Sequence, residues 1–120
     1  MRVIVAGGRG FVPKPVDRAK LKDLLFVAGA TEVVSGGASG ADAFGESVAR
    51  ELNLPIRRFL PEWGRFGKRA GPLRNKAMAE YADAVVLFPG GRGTASMKQE
   101  AITSGLVVLY DGTSEGLSYE

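Results

Sequence analysis

Three glycine clusters hold the residues best suited to chemistry: Gly7-Gly8-Arg9-Gly10, Gly36-Gly37-Ala38-Ser39-Gly40 and Gly90-Gly91-Arg92-Gly93. Each follows an apolar run. Glycine is required where the backbone takes positive φ or where a ligand approaches too closely for a Cβ. In the third cluster, read from Pro89 to Thr94, the threonine is placed to cap a helix. The first N–H groups of that helix lack internal partners and carry the positive end of its dipole, a setting that suits phosphate. Ser39 opens a second helix in the same way. Three such turns point to an anionic ligand. The alternative is that short strand-to-helix loops simply need glycine.

The segment Arg57 to Lys76 supplies charge. It holds seven cations against one anion, Glu62, and so carries +6 where the whole chain carries +3. Lys68, Arg69 and Arg74 are expected to neutralise a ligand's charge, and Asn75 to orient a hydroxyl. Trp63 and Phe66 lie in the same segment, and an aromatic ring can stack on a base or pack in a core or dimer interface. A charge run can equally be a solvated surface. Carboxylates are sparse: Asp42 falls in a helix's first turn, where it caps the helix or binds a ligand hydroxyl. Glu100 lies two turns into its helix, and Asp83 at the far end of a strand. Asp42, Arg74 and Glu100 are the candidate catalytic groups, but no carboxylate pair signals acid–base work. The chain has no histidine and no cysteine, which removes the commonest general base, the commonest zinc ligands and disulfides. No metal site is expected, although a phosphate ligand could bring magnesium.

The elements that would position these residues alternate strictly. Strands are expected at 3–6, 31–35, 55–60, 84–88 and 106–110. Helices are expected from Pro15 to Ala28, 41 to 52, 72 or 73 to 81, and 94 to 104. In the helix from 41, Ala43, Phe44, Val48, Ala49 and Leu52 form the inner face. Residues 61–71 read as a loop. Near-continuous apolar strands alternating with helices predict an α/β, doubly wound parallel sheet covered on both faces, in order 3-2-1-4-5. Its switch point lies between the first and fourth strands, so the three turns should converge there. The expected unit is a single domain over residues 1–112, with a loose tail over 113–120. Strand one opens the chain with no leader before it, and no run is long enough to span a bilayer, so a cytoplasmic protein without membrane contact is expected.

With these motifs in view, the chain resembles the SLOG superfamily of Rossmann-like nucleotide-binding proteins, and within it the YspA/YpsA-related branch. The matching stretches are Val5 to Arg9, Ser35 to Asp42, Trp63 to Asn75 and Phe88 to Thr94. Two relatives share parts of them. The Lonely Guy phosphoribohydrolases carry Pro-Gly-Gly-x-Gly-Thr-x-x-Glu and an upstream Arg, which Arg74 matches. The DNA-processing protein A family, which binds single-stranded DNA, has Ser-Gly-Gly-Ala-Arg-Gly-x-Asp. Met97 replaces the hydrolases' Glu, so Arg74 lacks that acidic partner, and Ser39 replaces the DNA binders' Arg. The resemblance implies homodimers and sensing of nucleotides or their derivatives.

Together these readings predict a binding module for a nucleoside phosphate or a ligand of the NAD or ADP-ribose type. Its contacts would come from Gly7, Gly8 and Arg9; from Ser35, Gly36, Gly37, Ser39, Gly40 and Asp42; from Trp63, Lys68, Arg69, Arg74 and Asn75; and from Pro89, Gly90, Gly91, Gly93 and Thr94. An N-glycosidic hydrolase with an altered site and a single-stranded nucleic-acid binder are the alternatives.

Overall fold

The computed structural model describes residues 1–115. Its five strands are β1 (Arg2–Ala6), β2 (Glu32–Ser35), β3 (Ile56–Arg58), β4 (Ala84–Leu87) and β5 (Val107–Asp111), in the order β3-β2-β1-β4-β5. Every pairing is parallel, with Val3 opposite Val33 on one side and Ala84 on the other. The expected order and Rossmann-like topology are therefore present, with β1 and β4 side by side at the switch point.

The helices are α1 (Pro15–Val27), α2 (Ala41–Glu51), a single turn α3 (Trp63–Phe66), α4 (Ala70–Tyr81) and α5 (Arg92–Thr103). Side-chain alternation in the strands divides the core in two. Val3, Val5, Val33, Val86 and Phe88 pack with Leu21, Leu25, Phe44 and Val48 of α1 and α2. Ile4, Val34, Val85 and Leu87 pack with Met78, Ala79, Met97 and Ala101 of α4 and α5. Parallel strands buried on both faces carry apolar residues at every position, which is why β1 and β4 read as continuous runs.

Local chemistry sets the boundaries. Pro15 is the first residue of α1, and the Asp17 carboxylate accepts the Lys14 N–H at 2.7 Å. Asn53 stops α2 with φ +57. The stretch expected as a loop folds into α3 and a 3-10 turn, Gly67–Arg69, and α4 starts at Ala70, ahead of Pro72. Proline within the first turn of a helix loses no bond, because its N–H would have had no partner. Ala43, expected inward, is exposed, and Glu46 is buried instead. The expected cover on both faces weakens at the edge strand β5, where Val107 and Val108 are exposed. The start of the expected tail is structured: Gly112–Glu115 form a 3-10 turn, and Thr113 N–H donates to Asp111 at 2.9 Å. The remainder, 116–120, lies outside the described residues.

Candidate functional site

The three glycine turns meet. Gly8 N–H donates to Pro89 O at 2.9 Å, and Ala41 N–H donates to Gly8 O at 3.1 Å. Gly40 has φ +73, and a Cβ there would stand 2.2 Å from Gly8 O. A Cβ on Gly90 would stand 2.0 Å from Thr94 Oγ1 and 2.7 Å from Gly8 N. The turns after β1, β2 and β4 therefore press backbone against backbone, which only glycine permits at these points.

Above them opens a cleft of about 570 Å³ at the carboxyl ends of the strands. Gly7, Gly8 and Arg9 line it from the first turn, and Gly36, Gly37, Ala38 and Asp42 from the second. Gly91 to Thr94, Ser96 and Met97 line it from α5. Leu60, Pro61, Trp63, Gly71, Pro72, Arg74, Asn75 and Met78 form the remaining wall.

Arg74 and Asp42 face one another at Gly36. A Cβ on that glycine would lie 2.5 Å from an Arg74 guanidinium nitrogen and 2.8 Å from Asp42 Oδ2. So Arg74 does have an acidic neighbour, brought by the fold from another segment. Its NH1 donates to Gly36 O at 2.7 Å and to Phe59 O at 3.3 Å, and its Nε donates to Asn75 Oδ1 at 2.9 Å. Asp42 is 7% exposed, and its Oδ2 accepts the Ala38 N–H at 3.1 Å. Burial pushes its carboxyl from 3.8 up to about 6, against the opposing pull of that hydrogen bond and of Arg74. Burial also lowers the Arg74 guanidinium from its ordinary value, against the attraction of Asp42.

Gly91 is the N-cap of α5, and the first helical bond runs from Ala95 N–H to Gly91 O at 3.0 Å. Gly93 and Thr94, whose N–H groups precede that bond, line the cleft, and such groups suit an anion. At α2 the Ala41 N–H is already given to Gly8 O, and the turn before it carries the Ala38-to-Asp42 bond.

Several expected contacts have other roles. Thr94 is the third residue of α5 and is buried, so Gly91 takes the capping position expected of the threonine. Ser39 does not cap α2 by its side chain; its hydroxyl donates to Arg9 O at 3.2 Å. The Ser35 hydroxyl donates to Glu46 at 2.7 Å and accepts the Gly37 N–H at 3.1 Å, so it braces the turn from below. Asn75, expected to orient a hydroxyl, spends its amide Nδ2 on Gly93 O and Ser96 Oγ, linking α4 to α5. Gly40, Pro89 and Gly90 form the packed base and do not line the cleft. Lys68 and Arg69 are exposed on the 3-10 turn, and Glu100 lies further along α5; none of the three lines the cleft. Trp63 does line it, 58% exposed, which removes the core alternative.

Arg92, Ser96 and Leu60 line the cleft although none of them was among the expected ligand contacts. The first two were legible in principle, since they fall within one turn of Thr94. Among the described residues no cluster of three acidic groups could hold a metal ion, and no helix is long and apolar enough to cross a membrane.

Comparison with known proteins agrees with this architecture. A family model described as the YspA, cpYpsA-related SLOG family matches residues 1–66. Among solved structures, the X-ray structure of TM1055, a structural-genomics target, is similar with a TM-score of 0.65. It is 24% identical, and the match covers 90% of this chain and 72% of that one. At that identity the likeness concerns the fold. No curated protein matches the chain at a comparable level.

Proposed function

The chain belongs to the YspA, cpYpsA-related SLOG family, and from that premise we propose that it is a binding module for a nucleotide or nucleotide-derived ligand, a nucleoside phosphate or an ADP-ribose-type molecule. The observation that carries this reading is the meeting of three glycine turns under one cleft with Arg9, Arg74 and Arg92 on its walls. A phosphate would sit at the start of α5, against the Gly93 and Thr94 N–H groups. The apolar wall of Leu60, Trp63 and Met78 would take the base. Cleft size fits a ligand of this class. Cytoplasmic residence and a homodimer belong to the same proposal; fractionation and light scattering check them. Calorimetry against a panel of nucleoside mono-, di- and triphosphates, NAD and ADP-ribose tests the central reading. Micromolar binding of at least one member is expected, and nothing tighter than millimolar would refute it.

Asp42 favours a second reading. It brings a carboxylate beside Arg74 although Met97 occupies the position of the hydrolases' Glu, and Met97 is buried in the cleft floor. An N-glycosidic hydrolase would then use Asp42, since Glu100 does not line the cleft. Chromatography after incubation with nucleoside monophosphates would show free base; binding without turnover would refute this second reading.

A further inference from the structure

The cleft is chemically two-ended. At the α5 end the backbone offers N–H donors. At the Gly36 end the Asp42 side chain offers an acceptor. Asp42 is 7% exposed and lines the cleft, and among the described residues its carboxylate accepts one hydrogen bond, from Ala38 to Oδ2. A carboxylate has capacity for about four such bonds. Arg74 lies beside it, with NH1 serving two backbone carbonyls and Nε serving Asn75, which fixes the guanidinium in place. A second phosphate at this end would meet the buried Asp42 carboxylate, and like charges at close range repel.

The Asp42 carboxylate has acceptor capacity to spare. A neutral hydroxyl group satisfies a buried carboxylate without adding charge, and a vicinal diol can give two O–H donors to one carboxylate. A ribose 5-phosphate unit has this polarity, with an anion at one end and a diol at the other. We infer that Asp42 is the residue that selects ribosyl over deoxyribosyl ligands, by accepting hydrogen bonds from the ribose hydroxyls while the phosphate rests at the start of α5. This inference rests on the nucleotide reading and sharpens it to ribose-bearing phosphates.

The test needs no knowledge of the base. Calorimetry at pH 7.5 would compare ribose 5-phosphate with 2-deoxyribose 5-phosphate, and the four ribonucleoside 5′-monophosphates with their 2′-deoxy and 3′-deoxy counterparts. Losing a hydroxyl that a buried acceptor depends on is expected to weaken binding about tenfold or more. Asp42→Asn should weaken the ribo compounds more than the deoxy compounds, each of which keeps one hydroxyl, and so shrink the ribo-to-deoxy ratio toward one. Circular dichroism and thermal melting check that this variant folds, and the comparison on the unmodified protein stands without it. Ribo and deoxy ligands bound equally would overturn the inference and leave the nucleotide reading intact. Tighter binding of ribo phosphates to Asp42→Asn would overturn it too, because it would put the phosphate at Asp42. No binding by any compound in either series overturns the inference, and the wider panel of di- and triphosphates, NAD and ADP-ribose then decides the nucleotide reading.

Discussion

Asp42→Asn should make the protein more stable at neutral pH, and the gain should vanish in acid. The carboxyl of Asp42 ionises near 6 in the folded protein, against an ordinary 3.8, because burial in the cleft disfavours its charge. The folded state therefore holds the proton to higher pH than the unfolded chain. By linkage, stability falls as the pH rises from 3.8 to about 6 and stays lowered above that. The displacement corresponds to about 3 kcal/mol as an upper bound. Asparagine removes the charge and keeps an oxygen for the Ala38 N–H. It also removes the negative neighbour of the half-buried Arg74, which gives back part of the gain, so about 1–3 kcal/mol is expected at pH 8. For a chain of 120 residues that is a rise in Tm of about 4–12 °C. Thermal melts of both proteins at pH 8 and at pH 3.5 measure it, and the difference between them cancels the acid response of every other group. A variant less stable at pH 8, or one whose advantage is the same at both pH values, would refute the argument.

Three further outcomes are expected. Gly40→Ala should destabilise the protein by about 2 kcal/mol or more in urea unfolding, since the residue has φ +73 and no room for a Cβ against Gly8 O. Glu46→Ala should cost about 1–3 kcal/mol, because the buried carboxylate accepts from Ser35 Oγ at 2.7 Å and from Arg58 at 2.5 and 3.0 Å. The Arg58 hydrogen bonds hold the Glu46 carboxyl below its ordinary 4.5, so its stabilisation is present above that value and is lost as the pH falls through the lowered one; wild type and variant should converge in acid. Trp63, the sole tryptophan, should report ligand directly: a nucleotide detected by calorimetry should quench or shift its emission, and an unchanged spectrum would remove the ring from the base-binding wall.

The sheet was legible because its central strands obey one strong rule. Val3 to Ala6 and Ala84 to Phe88 are buried on both faces, and a continuous apolar run is the only pattern that satisfies such a site. The strand order followed from strict alternation with helices. Trp63 to Arg69 was not legible as α3 and a 3-10 turn, because a basic, glycine-bearing stretch has no apolar period to betray a single helical turn. Ser35 looked like a ligand contact because its partner, Glu46, stands on α2 and only the folded topology brings the two together. The neighbourhood of Arg74 and Asp42 was hidden for the same reason: they belong to α4 and α2, and Gly36 of a third segment lies between them. Thr94 gave the right helix with the wrong first residue, since Gly91, with φ −100 and ψ −138, ends the turn earlier.

The packed base formed by Gly8, Gly40 and Gly90 has a consequence for how such a cleft can change. A side chain introduced at Gly40 or Gly90 would push on a neighbouring loop as well as its own, so these corners can be altered only as a group. Variation meets less resistance along the opposite wall, at Leu60 and Trp63, where exposed side chains face the same opening. New ligand preferences should therefore be sought in a library confined to that wall, with the floor held constant.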